Sequence, residues 1–152
     1  MRLTAYTDYT LRTLMYLAIC GDRPATIGEI AAAYGISEAH LMKVVHQLGV
    51  ANDIATQRGR HGGIRLARSP ECINLGATVR RTESDLALVP CFEKADTCLI
   101  SDNCVLSKVL QEALDAFLGV LDRYTLADLV APRQALVSLL GLPTGSALRS
   151  LL

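Results

Sequence analysis

Tryptophan is absent from this 152-residue chain, and five Tyr and two Phe supply all of its aromatic area. A core must therefore come from Leu, Val, Ile and Ala, which favours packed helices. Net charge is also missing, since fifteen Lys and Arg balance fifteen Asp and Glu. No window offers about eighteen uninterrupted apolar residues, so no membrane span is expected. The opening MRLTAYTDYTLRTL has no long apolar run after a basic start, so a secretory signal is not expected and a cytoplasmic location is. No Ser/His/Asp triad, phosphate loop or plausible carboxylate pair is present, so no catalytic residue is assigned and an enzyme is not expected. Cysteine is odd in number, at five, which argues against a disulfide framework in such a chain.

What is present is a globular composition, 51% apolar and 20% charged, of a length that suits one compact domain or a small domain with a dimerising extension. The neutral total hides an uneven distribution. Residues 1–70 carry eight basic and five acidic side chains, whereas residues 71–131 carry five and ten. A basic N-terminal part suits a phosphate backbone, and an acidic C-terminal part does not.

Leu11, Leu14, Met15 and Ala18 recur at helical spacing, which predicts an amphipathic helix from about Thr7 to Cys20. Thr26 and Glu29 have capping-box spacing and start a second helix that Gly35 ends. Ser37 then caps a third helix reaching about Leu48, with Ile36, Val44, Val45 and Leu48 as its core face. Two short helices across a glycine turn make a helix-turn-helix. Strand-like segments 54–58 and 63–67 flank Gly59-Arg60-His61-Gly62, a hairpin signal that reads as a wing. The second helix of such a unit enters the major groove by its N-terminal residues. Here Ser37, His40, Leu41, Lys43, His46 and Gln47 are the candidate contacts, and Arg58, Gly59, Arg60 and His61 suit a minor groove.

Cys91, Cys98 and Cys104 fall within fourteen residues. Soft thiolates select zinc, copper(I) or iron–sulfur clusters. Close Cys-x2-Cys pairs and a fourth ligand, the usual marks of structural zinc, are missing, and the wider spacing fits a cluster. A thiol-redox loop without metal is the alternative. Cys20 and Cys72 sit among apolar neighbours and read as small core residues. Residues from about Ile73 to Thr82 read as a helix, and Glu83 to Asn103 as a loop. Leu106, Leu110, Ala113, Phe117, Val120 and Tyr124 then follow a heptad seam on a long helix.

These motifs together resemble the winged-helix iron–sulfur regulators, a family with NsrR-type nitric-oxide-responsive and IscR-type members. The likeness runs from Arg2 to about Val130 and rests on LTAYTDYTLRTLMYLA, RGRHGGIRL, the three clustered cysteines and YTLADLV, in that order. The first cysteine spacing is six residues where five is usual, and Asn52-Asp53 stands where a Gly-aromatic pair is usual. The resemblance implies a fold that is mainly α with a small β-wing, a winged helix-turn-helix plus a long C-terminal dimerisation helix. It divides the chain into a DNA-binding domain at 1–70, a cluster loop and dimer helix at 71–131 and a tail at 132–152. It implies a homodimeric repressor on a pseudo-palindromic operator in double-stranded DNA, with nitric oxide as effector. IscR-type members use a His three residues after the third cysteine, where this chain has Ser107. In NsrR-type members an Asp from the other subunit completes a 4Fe–4S site, and Asp8 matches it. That aspartate also suits a helix start and a pair with Arg12. A 2Fe–2S sibling that regulates iron–sulfur assembly or iron supply is the nearest alternative.

Overall fold

The computed structural model describes residues 2–60, 62–92 and 104–142. The element order is α1 (Ala5–Cys20), α2 (Ile27–Tyr34), α3 (Glu38–Val50), β1 (Ile54–Gln57), β2 (Gly63–Leu66), α4 (Leu75–Thr82), α5 (Val105–Leu121), α6 (Leu126–Leu129) and α7 (Arg133–Leu139). Short 3-10 turns occupy Pro70–Cys72 and Pro90–Phe92.

Helix α1 begins two residues earlier than its apolar spacing predicts, because Thr4 caps it by accepting from the Thr7 N–H at 3.2 Å. Its inner face is partly polar. Thr10 and Thr13 are buried, and their hydroxyls donate to the carbonyls of Tyr6 and Tyr9 at 2.8 and 2.7 Å, so neither is left unpaired. The Thr26/Glu29 capping box is formed at the start of α2, and Gly35 ends it in the left-handed conformation at φ 64°. Helix α3 runs to Val50, two residues beyond expectation, and Asn52 takes the positive φ of 56° that turns the chain into β1.

The two strands are antiparallel, with Ile54 opposite Leu66 and Gln57 opposite Gly63. Ile64 also bridges Ala25, so the hairpin is anchored to the segment leading into α2. That close approach requires Gly63, where a Cβ would lie 2.6 Å from the Ala25 carbonyl oxygen. The core forms where Leu14 and Leu17 of α1 meet Ile30 of α2, Leu41, Val44 and Leu48 of α3, Ile54 and Ile64 of the hairpin, and Leu126 of α6. Helix α1 packs against α3, α4 and α6, so one helix carries both parts of the chain.

Helix α5 buries only Leu114 and Leu118 among its side chains. Leu106 is 64% exposed and Val120 43%, and Val105 and Val109 are exposed as well. Tyr124 lies just past the helix end and is also exposed. Among the described residues no helix is long and apolar enough to cross a membrane.

Candidate nucleic-acid interface and cysteine segment

Burial sorts the side chains of α3. Leu41, Val44 and Leu48 face the core, with Leu41 at 0% exposure. Leu41 is therefore corrected from a candidate DNA contact to a core residue: it sits on the same face as Val44 and Leu48, one turn earlier. Ser37, His40, Lys43, His46 and Gln47 are all exposed on the remaining surface. The Ser37 hydroxyl makes no capping hydrogen bond, which leaves it available to a ligand, against the expected capping role. The His40 ring stacks on Tyr9 of α1, with centroids 6.1 Å apart and planes 28° off parallel, which orients the imidazole. Lys43, His46 and Gln47 line an open groove of about 950 Å³, walled on its far side by Thr4, Tyr6, Arg81, Thr82 and Ser84. Sequence reasoning missed that wall, since α1 and α4 meet there only after folding.

At the wing, Arg58, Gly59 and Arg60 are exposed. Gly59 holds φ 118°, and a Cβ on Gly62 would meet the Gln57 carbonyl oxygen at 2.4 Å, so both glycines are dictated by the turn. His61 lies outside the described residues. Arg68, two residues past β2, is engaged inside the protein: its Nη1 donates to Asp53 Oδ1 at 3.2 Å.

Of the cysteine set, Cys91 is half-buried in the turn Pro90–Phe92. Cys104 is the N-cap of α5, and its sulfur accepts from the Ser107 N–H at 3.4 Å. Cys98 lies outside the described residues. Among the described residues no three His, Cys, Asp or Glu side chains converge as a metal site. Asp8 stands in the first turn of α1, half-exposed, and accepts from Arg12 Nε at 2.9 Å. The donor set of soft thiols fits iron–sulfide chemistry, with Cys91 and Cys104 at the two ends of segment 93–103.

Of the remaining cysteines, Cys20 packs against the core as expected and Cys72 does not. Cys20 is half-buried, and burial pushes its thiol up, partly countered by the Arg23 guanidinium at 3.2 Å. Cys72 is exposed rather than a core residue, because the turn Pro70–Cys72 directs it outward from the buried Ile73.

The start of α1 is tied to the end of α4. The Glu83 carboxylate accepts from the Thr4 N–H at 2.8 Å and from its hydroxyl at 3.1 Å, and the buried Thr7 hydroxyl donates to Thr82 at 2.8 Å. Helix α4 is in turn tied to α5 by a bidentate Arg80–Asp122 pair at 2.5 and 2.7 Å.

The profile of the Rrf2 family, described as an iron-dependent transcriptional regulator, matches residues 3–132. The chain belongs to the Rrf2 family. Among curated proteins it is 50% identical to the HTH-type transcriptional regulator NsrR of Bacillus subtilis over 144 residues, covering 92% of this chain and 97% of that one. It is 51% identical to NsrR of Geobacillus kaustophilus over 142 residues, again 92% and 97%. Among solved structures, T. potens IscR superposes with a TM-score of 0.71 at 26% identity, over 87% of this chain and 88% of that one. CymR, the global cysteine regulator of B. subtilis, gives 0.69 at 26% identity over 86% and 97%. Membership of Rrf2 makes the protein a DNA-binding transcriptional regulator of winged-helix fold, not an enzyme.

Proposed function

We propose that this Rrf2 protein is a nitric-oxide-sensitive repressor that binds a pseudo-palindromic operator as a homodimer in the cytoplasm, and that an iron–sulfur cluster sets its affinity for DNA. The observation that carries this reading is the similarity to NsrR regulators, near half identical over almost the whole chain. In the proposed division, residues 1–70 bind DNA, 71–131 hold the cluster and the dimer helix, and 132–152 form a tail. Ser37, His40, Lys43, His46 and Gln47 address the major groove, and Arg58, Gly59, Arg60 and His61 reach the minor groove. Their exposure in the described residues supports these roles. The exposed seam of α5 supports a two-fold dimer, since a second copy of the same helix would bury Leu106 and Val109.

Cys91, Cys98 and Cys104 would hold the cluster, with Asp8 donated by the second subunit. Bound there, a 4Fe–4S cluster, or a 2Fe–2S one, supplies the irons at which nitric oxide reacts. The chain's own part is to let Asp8 choose between two engagements. Arg12 holds its carboxylate within α1, a pair that ligation across the dimer would have to break. Thr4 and Glu83 sit one turn away, so that choice bears on the contact between α1 and α4. A shift of about 1.4 kcal/mol in DNA affinity is tenfold, so a modest rearrangement suffices to release the operator.

The test is a gel shift with anaerobically purified protein. The brown, cluster-loaded dimer is expected to bind its promoter at least tenfold tighter than apo-protein and to release it on nitric oxide. Equal affinity of the two forms would reject cluster control. A colourless protein whose DNA binding follows thiol oxidants would establish the metal-free alternative instead.

A further inference from the structure

Asp53 is the one acidic side chain between Glu38 and Glu71, and the fold buries it to 1% exposure. Its Oδ1 accepts from Arg68 Nη1 at 3.2 Å, and its Oδ2 accepts from Arg81 Nη2. Its backbone is committed too. The Asp53 N–H donates to the Leu48 carbonyl in the last turns of α3 at 3.0 Å, and its own carbonyl accepts from the Ala67 N–H at 2.9 Å, at the exit of β2. One residue thus touches the recognition helix, both ends of the hairpin and α4. Arg68 extends the junction by donating through Nη2 to the Cys72 carbonyl. Arg81 immediately precedes Thr82 and Glu83, which hold Thr7 and Thr4 at the start of α1.

A carboxylate this buried is retained only with both lone-pair faces satisfied, and here the two partners come from separate elements. A stability role alone would be met by two partners from one neighbouring element. The arrangement instead makes the angle of the hairpin against α3 depend on where α4 places Arg81. We propose that Asp53 is a positioning residue that couples the wing and recognition helix to the junction of α1 and α4. A displacement at that junction, at Thr4 or Glu83, moves Arg81 and is felt at the wing through Asp53. The inference rests on the reading of wing and α3 as the DNA grip only for its consequence; the coupling itself is a property of the free protein.

Amide hydrogen exchange on the full-length, DNA-free dimer tests it without reference to DNA or effector. The reporters are the Ile64 and Ala67 amides at the wing base, with Ile30 in α2 as the control. Arg81→Gln, a change in α4, is expected to speed exchange at Ile64 and Ala67 by about tenfold and to leave Ile30 unchanged. Glu83→Gln, which loosens Thr4, is expected to speed the same wing amides several-fold in the parent and to add nothing in an Asp53→Asn background. Unchanged wing exchange in Arg81→Gln, or strictly additive effects of Glu83→Gln and Asp53→Asn, would overturn the coupling. Should Asp53→Asn fail to fold, Arg81→Gln takes its place in the cycle, since it removes the contact from α4 and leaves the carboxylate with Arg68. Operator affinity of the same variants reads the DNA-grip assignment separately: rapid wing exchange with undiminished affinity would count against that assignment and leave the coupling standing.

Discussion

At the scale of single residues, position on a helix decides roles that residue type leaves open. Leu41 is of a kind that can contact a thymine methyl, yet its helical phase places it with Val44 and Leu48 in the core. Leu41→Ala is expected to cost about 2–5 kcal/mol in urea unfolding, while the volume-conserving Leu41→Met leaves the relative affinity for operator and mutated operator unchanged in a binding titration. A shift in that preference would restore Leu41 as a reader. Asp122 illustrates the same point for charge. The side-chain hydrogen bonds from Arg80 hold its carboxyl below the usual range. Its folded pKa is below its unfolded one, so the pairing contributes stability above the unfolded pKa and loses it as pH falls. Thermal melts from about pH 6 to about pH 3 are expected to show a shallower acid-side loss in Asp122→Asn than in the parent. Identical acid limbs would deny the pair any stabilising role.

Among elements, the hairpin and the recognition helix are braced differently. Helix α3 is held by apolar burial, whereas the wing has only two four-residue strands and borrows rigidity from the Ala25–Ile64 bridge and from Asp53. Its exposed arginines are free to act outward. Arg60→Ala is expected to weaken operator binding with little change in melting temperature. It should also reduce the slope of log affinity against log salt by about one, as the loss of one phosphate or minor-groove cation requires. Fluorescence anisotropy across a salt series checks it, and an unaltered slope would place Arg60 off the DNA. Arg68→Ala is expected to do the reverse, destabilising the fold by leaving a buried carboxylate with one partner fewer while sparing that slope.

For the whole molecule, assembly is the open term. Leu106, Val109 and Val120 line α5 as an exposed apolar seam that no other described residue covers. Leu106→Glu is expected to convert a dimer into a monomer by light scattering and to weaken operator binding by at least tenfold; a persisting dimer would move the interface elsewhere. The sequence by itself determined the parts whose causes are local. Capping spacing set α2, Gly35 set the turn before α3, the glycine-rich hairpin set the wing, and heptad spacing set α5. The thiols Cys91 and Cys104 could be singled out by type and spacing, and Asp8 only by the resemblance to NsrR-type regulators. Only the tertiary structure decided that Arg68 is spent on Asp53, that Arg81, Thr4 and Tyr6 wall the groove beside α3, and that Cys72 faces out. The physical reason is separation along the chain. Periodicity and capping act within one or two turns, whereas Asp53 meets Arg81 twenty-eight positions away and Thr4 meets Glu83 across seventy-nine, pairings that exist once α1, α4 and the hairpin have packed.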